Sequence, residues 1–169
     1  MNKYKKVMLI YGGISSEREI SIISSKGIND SLIRNNYEVI KIDADEDLES
    51  QIKKHNPDVI FNALHGTWGE DGKVQKIIEL TNVPYTNSGI RASELAMDKH
   101  KSSEIFTKIN LNYPNTILSS LKSIKDENLM DYPYVLKPRN EGSSVGVGII
   151  KNENDKKKYV EQNKERDEI

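Results

Sequence analysis

The chain has 169 residues, a formal charge of −1 and no cysteine. That length corresponds to one domain, or one small domain plus part of another. The near-neutral balance supplies no field to draw nucleic acid, and the lack of cysteine excludes disulfides, thiolate metal sites and a thiol nucleophile. The apolar run Val7 to Tyr11 is five residues long, too short for a signal-peptide core or for a membrane span of about 20 residues. A cytoplasmic protein with no nucleic-acid partner and no membrane partner is expected.

Val7-Met-Leu-Ile-Tyr11 reads as a buried parallel strand ending at Gly12-Gly13. Ser16 and Glu19 have capping-box spacing, so a helix is expected from there. Its core face would carry Ile20, Ile23, Gly27, Ile28 and Leu32. Tyr37 to Asp43 alternates as a second strand, and a short polar helix should cover Asp45 to His55. Asp58 to Leu64 is a third strand, running into His65-Gly-Thr-Trp-Gly-Glu-Asp-Gly72. A helix marked by Val74, Ile77, Ile78 and Leu80 and a brief strand at Val83 to Thr86 come next. Strands alternating with helices argue for a parallel sheet.

A helical stretch should open at Ser88-Gly89, and Asp98 suits the N-cap of another helix over Lys99 to about Lys108. Asn112-Tyr-Pro114 reads as a linker. Beyond it the pattern changes to a strand near Thr116 to Leu118, a helix near Lys125 to Met130, and paired strands at Tyr134 to Lys137 and Val145 to Ile150. The tail from Lys151 carries six positive and six negative residues and could form a surface helix with little to bury. Domains are expected over residues 1–111 and 112–169.

Five places could carry chemistry. Gly12-Gly13 follows a first strand, but the glycine fingerprint of dinucleotide binders is absent, because Ser15-Ser16-Glu17-Arg18 fills the turn. A carboxylate there would repel phosphate and suit a cation such as an amino-acid ammonium. Equally, Glu17 could simply favour the helix N-terminus. His65 lies just past a strand's C-terminal end, where open parallel sheets bind ligands. It could contact a carboxylate, with Glu70 or Asp71 orienting the ring, or it could only satisfy a Gly-rich turn. His55, His65 and His100 show no metal-ligand spacing.

Lys99 sits at a helix start that favours anions, and Lys137 ends an apolar run where an idle charge would be costly. Gly142-Ser-Ser-Val-Gly146 could wrap phosphoryl oxygens with its N–H groups and hydroxyls, or could be an ordinary hairpin turn. One ion pair at 4 Å gains roughly 1 kcal/mol in water but roughly 4 kcal/mol at an effective dielectric near 20. Two lysines therefore matter to a polyphosphate mainly where a lid excludes water.

Taken together, Gly12 to Ser21, Leu64-His-Gly66 with Gly69-Glu-Asp-Gly72, Pro84 to Ser93, Ala96-Met-Asp-Lys99, and Tyr134 to Pro138 with Glu141 to Gly146 resemble the D-alanine–D-alanine ligase family of the ATP-grasp superfamily. The motifs run in order from Val7 to about Ile150. Asn87 departs from the family, which usually has glycine there. The resemblance implies an α/β fold: an N-terminal parallel-sheet, Rossmann-like domain, then the first part of an ATP-grasp α+β domain.

It further implies that ATP phosphorylates one D-alanine and the amine of a second attacks the acyl phosphate, in peptidoglycan precursor synthesis. Glu17 would anchor the first D-alanine's ammonium, with His65 beside that substrate. Lys99 and Lys137 would bind the ATP phosphates. The loop Gly142, Ser143, Ser144 and Val145 would close over them, Ser143 and Ser144 donating hydrogen bonds.

The family's adenine-reading strand, its oxyanion arginine and its ligands for magnesium (or manganese) have no match here, so the chain is expected to be the N-terminal half of a ligase, inactive alone. The alternatives are a non-catalytic fragment that at most binds ligand or dimerises, and a ligase with D-serine or D-lactate as second substrate. A monomer and a homodimer are both compatible with the sequence.

Overall fold

The computed structural model describes residues 4–45, 47–166 and 169. Its contacts divide the chain into two compact units, Met1–Glu94 and Leu95–Ile169.

In the first unit β1 (Lys6–Tyr11) lies between β2 (Glu38–Asp43) and β3 (Val59–Asn62), and both pairings are parallel. The central position explains why β1 is apolar throughout. Val7, Met8, Leu9 and Ile10 are all buried, as a strand covered on both faces requires. Met8 and Ile10 join Ile60, Leu64 and Trp68 in one core cluster. Leu48 and Ile52 of α2 (Leu48–His55) and Val74 and Ile78 of α3 (Lys73–Glu79) complete that cluster. The brief strand expected at Val83 to Thr86 is reduced to a single parallel bridge between Ile60 and Tyr85.

α1 (Arg18–Arg34) packs on β1 and β2 with a face other than the one its isoleucines suggest. Ile20 and Ile23 are 50% and 63% exposed, whereas Ser21 and Ser25 are buried. The Ser21 hydroxyl accepts from the Gly12 N–H at 2.8 Å and donates to the Ala63 carbonyl at 2.7 Å. It satisfies two backbone groups at the strand ends, and only a small side chain lets the helix come that close. The expected capping box does not form. Glu17 is the N-cap with no side-chain cap bond, and its N–H donates instead to the Ser15 hydroxyl at 3.1 Å.

α4 (Ile90–Met97) leads into the second unit, which holds α5 (Lys99–Lys108), α6 (Leu121–Asp126), the antiparallel pair β4 (Tyr134–Leu136) and β5 (Gly148–Ile150), and α7 (Glu153–Gln162). α5, counted with the first domain on sequence, thus belongs to the second compact unit. Asn112 to Pro114 forms no regular structure. Residues 116–118 are not a strand, and α6 starts four residues before the expected Lys125 because the Ser120 hydroxyl caps it by accepting from the Ser123 N–H.

The second core is Leu121, Ile124, Leu136, Ile150, Tyr159 and Ile169. The charged tail contributes to it after all. Asn152 caps α7, Tyr159 is buried, and buried Lys156 reaches Asn128 Oδ1 at 2.9 Å and Glu153 at 3.0 Å. No described helix is long and apolar enough to cross a membrane.

Candidate functional site

In the first unit the predicted residues meet at the C-terminal edge of the parallel sheet. β1 ends at Gly12-Gly13 and β3 ends at buried Asn62, which organises the next loop. Its side chain accepts from the Leu64 N–H at 3.0 Å and donates to the Gly69 carbonyl at 3.1 Å. The loop then turns back toward the start of α1. The Ser15 hydroxyl donates to the His65 carbonyl at 2.7 Å, joining the two segments.

Gly66 lies directly against Glu17. Its φ is +70°, and a Cβ there would stand 2.3 Å from Glu17 Oε2, so only glycine allows the carboxylate its place. Glu17 is half-buried, as is His65. The His65 ring lies beside the Ser24 hydroxyl, 3.2 Å from Nε2.

Neither Glu70 nor Asp71, the sequence-based candidates for orienting that ring, is bonded to it. Glu70 accepts from the Gly66 N–H at 2.7 Å and Asp71 from the Trp68 N–H at 2.9 Å. These carboxylates shape the loop backbone, and Trp68 with φ +70° needs such support. Ser15, Ser24 and Asn62 were missed on sequence. Serine and asparagine beside turns are too common to stand out.

In the second unit Lys99 and Lys137 are brought together at the base of the Gly/Ser loop. Burial lowers the proton affinity of Lys99, and the positive charge of Lys137 lowers it further, while Glu141 and Asp98 oppose the shift. Lys137 is exposed, one residue beyond β4 rather than inside it. Its ammonium makes no hydrogen bond or ion pair among the described residues. Lys99 donates to the carbonyls of Pro138 at 2.9 Å and Arg139 at 3.4 Å, and to that of Glu141.

The loop above them is tied at its ends and open at its tip. Glu141 pairs with Arg166, and the Tyr159 hydroxyl donates to the Gly146 carbonyl at 2.7 Å. Between these ties Ser143 and Ser144 both have left-handed backbone, with φ +48° and +64°, and both are exposed. Their hydroxyls have no partner among the described residues. Two adjacent non-glycine residues in that conformation are costly and typical of segments that meet ligands.

Glu17 and His65 are thus assembled within one unit, and Lys99, Lys137 and Gly142 to Val145 within the other. Two family models match the chain: "D-ala D-ala ligase N-terminus" over residues 43–88 and "D-ala D-ala ligase C-terminus" over residues 106–169. The D-alanine–D-alanine ligase of Parvibaculum lavamentivorans is 46% identical over 151 residues, which is 89% of this chain and 49% of that protein.

The chain belongs to the D-alanine–D-alanine ligase family.

The ligase of Rickettsia typhi is 42% identical over 89% of this chain and 47% of its own length. Among solved structures, the Bacillus anthracis ligase superposes with a TM-score of 0.78 at 32% identity, over 94% of this chain and 53% of that one. Its complex with ATP gives 0.78 at 29%, over 97% and 56%. The chain therefore spans about half the length of the ligases it matches. The α/β architecture expected from sequence is the architecture of this family.

Among the described residues no group of three or more histidine or acidic side chains is placed to hold a metal ion. The residues described do not fit the magnesium that the resemblance implies.

Proposed function

We propose that this chain supplies the amino-acid and phosphate grips of an ATP-dependent ligase that joins two D-alanines for peptidoglycan precursors, acting in the cytoplasm. The observation that carries the reading is the convergence of Lys99 and Lys137 under an open Gly/Ser loop. The half-buried Lys99 ammonium and the exposed Lys137 ammonium beside it repel each other, and a polyanion relieves that repulsion.

In the proposed reaction a carboxylate oxygen of the first D-alanine attacks the γ-phosphorus of ATP. The bond to ADP breaks, leaving an acyl phosphate. The amine of the second D-alanine then attacks the acyl carbon, loses a proton, and expels phosphate. Glu17, held against Gly66, binds the first ammonium, and His65 lies near the same substrate. Lys99 and Lys137 neutralise the phosphates. Ser143 and Ser144, with the N–H groups of Gly142 to Val145, donate to phosphoryl oxygens. The contribution of these groups is positioning and charge stabilisation. A homodimer is compatible with the exposed Ile20 and Ile23 of α1, and sedimentation would decide it.

In a full-length ligase carrying this sequence, Lys137→Ala is expected to lower D-alanine-dependent phosphate release from ATP by about two to three orders of magnitude. Unchanged turnover would remove the phosphate role. A second reading is a non-catalytic fragment that at most binds ligand or dimerises. Dipeptide formation by the purified chain would exclude it.

A further inference from the structure

Asp98 has a second task besides capping α5. Its carboxylate is buried and accepts from the His100 and Lys101 N–H groups, both at 3.1 Å. The same carboxylate takes a two-pronged grip from Arg139, Nε to Oδ1 at 3.0 Å and Nη2 to Oδ2 at 2.9 Å. Beside it, the Lys99 N–H donates to the Arg139 carbonyl at 3.1 Å, and the Lys99 ammonium takes the carbonyls of Pro138, Arg139 and Glu141.

One helix start is therefore fastened to Pro138, Arg139 and Glu141, just after Lys137, through a planar fork and a row of carbonyls. Arginine suits this place, because a lysine cannot span both carboxylate oxygens in one plane.

We propose that the Asp98–Arg139 pair is a latch that positions the phosphate loop. It sets the direction in which the chain leaves β4, and so holds Lys137 near Lys99 and the loop tip open above both. Asp98 and Arg139 act through the loop and need not touch the phosphate. The inference rests on the phosphate reading for its purpose, but the latch itself is tested separately.

The test uses the 169-residue chain, isotopically labelled, with inorganic tripolyphosphate as probe. Asp98→Ser keeps a helix-capping oxygen and removes the ion pair; Arg139→Lys keeps the charge and removes the fork. Each variant is expected to weaken tripolyphosphate binding at the Gly142 to Gly146 amides about tenfold, with the double variant no worse than either single one, as coupled residues behave. Amide exchange at Lys99 and Val145 should rise in both, while the middle of α5 stays protected in Asp98→Ser.

Wild-type affinity in both variants, or losses that add, would overturn the latch. Unchanged exchange at Lys99 and Val145 would overturn it as well, whether or not tripolyphosphate binds. If the wild-type chain binds no tripolyphosphate at the loop, the phosphate reading fails, while a rise in exchange still upholds the latch as a device of loop geometry.

Discussion

At Asp98 two forces oppose each other. Burial pushes its carboxyl up, while the hydrogen bonds and charge of Arg139, with the Lys101 N–H and ammonium, pull it down and prevail, to about 2 from 3.8. A carboxyl that is more acidic in the folded state stabilises the fold above its unfolded value and loses that contribution as pH falls through the folded one. The second unit should therefore lose about 2 kcal/mol of stability between pH 4 and pH 2 through this group. Urea unfolding followed by the second unit's own amide signals checks it. The pH dependence in that window should be reduced in Asp98→Asn, and an equal slope in the variant would contradict the assignment. Asp98 was legible in the sequence as a cap, because helix starts have a local signature. Arg139 was not, because its partner lies 41 residues away and nothing local marks such a pairing.

Among the elements, β1 and β3 could be read from apolar runs because buried parallel strands are apolar, and β2, half-exposed beside β1, from its alternation. α1 misled for a related reason. Helical periodicity finds the face richest in isoleucine, yet this helix approaches the strand ends through serines that hydrogen-bond their backbone. Ser21→Ala should cost about 1–3 kcal/mol by leaving the Gly12 N–H and the Ala63 carbonyl unpaired. Ile23→Ala, at a position 63% exposed, should change stability by less than about 0.5 kcal/mol apart from a small propensity effect. Chemical denaturation of both variants would decide between the faces, and the reverse order would restore the isoleucine face. The short strand expected near residue 117 failed differently, since three apolar-rich residues suffice to suggest a strand but not to supply a partner for one.

Across the whole chain, the five motifs carried the family, and each compact unit assembles some of the residues those motifs named. Ser15 and Gly66 stand inside the motifs, but their task of seating Glu17 does not show there; outside the motifs altogether lies the support beneath them, Asn62 folding the loop after β3 and Arg139 and Arg166 fixing the Gly/Ser loop. Such residues are spread through the chain and act by geometry, so no spacing announces them. In the proposed function one unit grips the amino acid and the other the phosphates. The most direct measurement is an amide-shift titration of the labelled chain, first with D-alanine and then with ATP. D-alanine is expected to move the signals of Ser15 to Glu17 and of His65 and Gly66, and ATP those of Lys99, Lys137 and Ser143 to Val145. Shifts from both ligands that avoid these positions would contradict it.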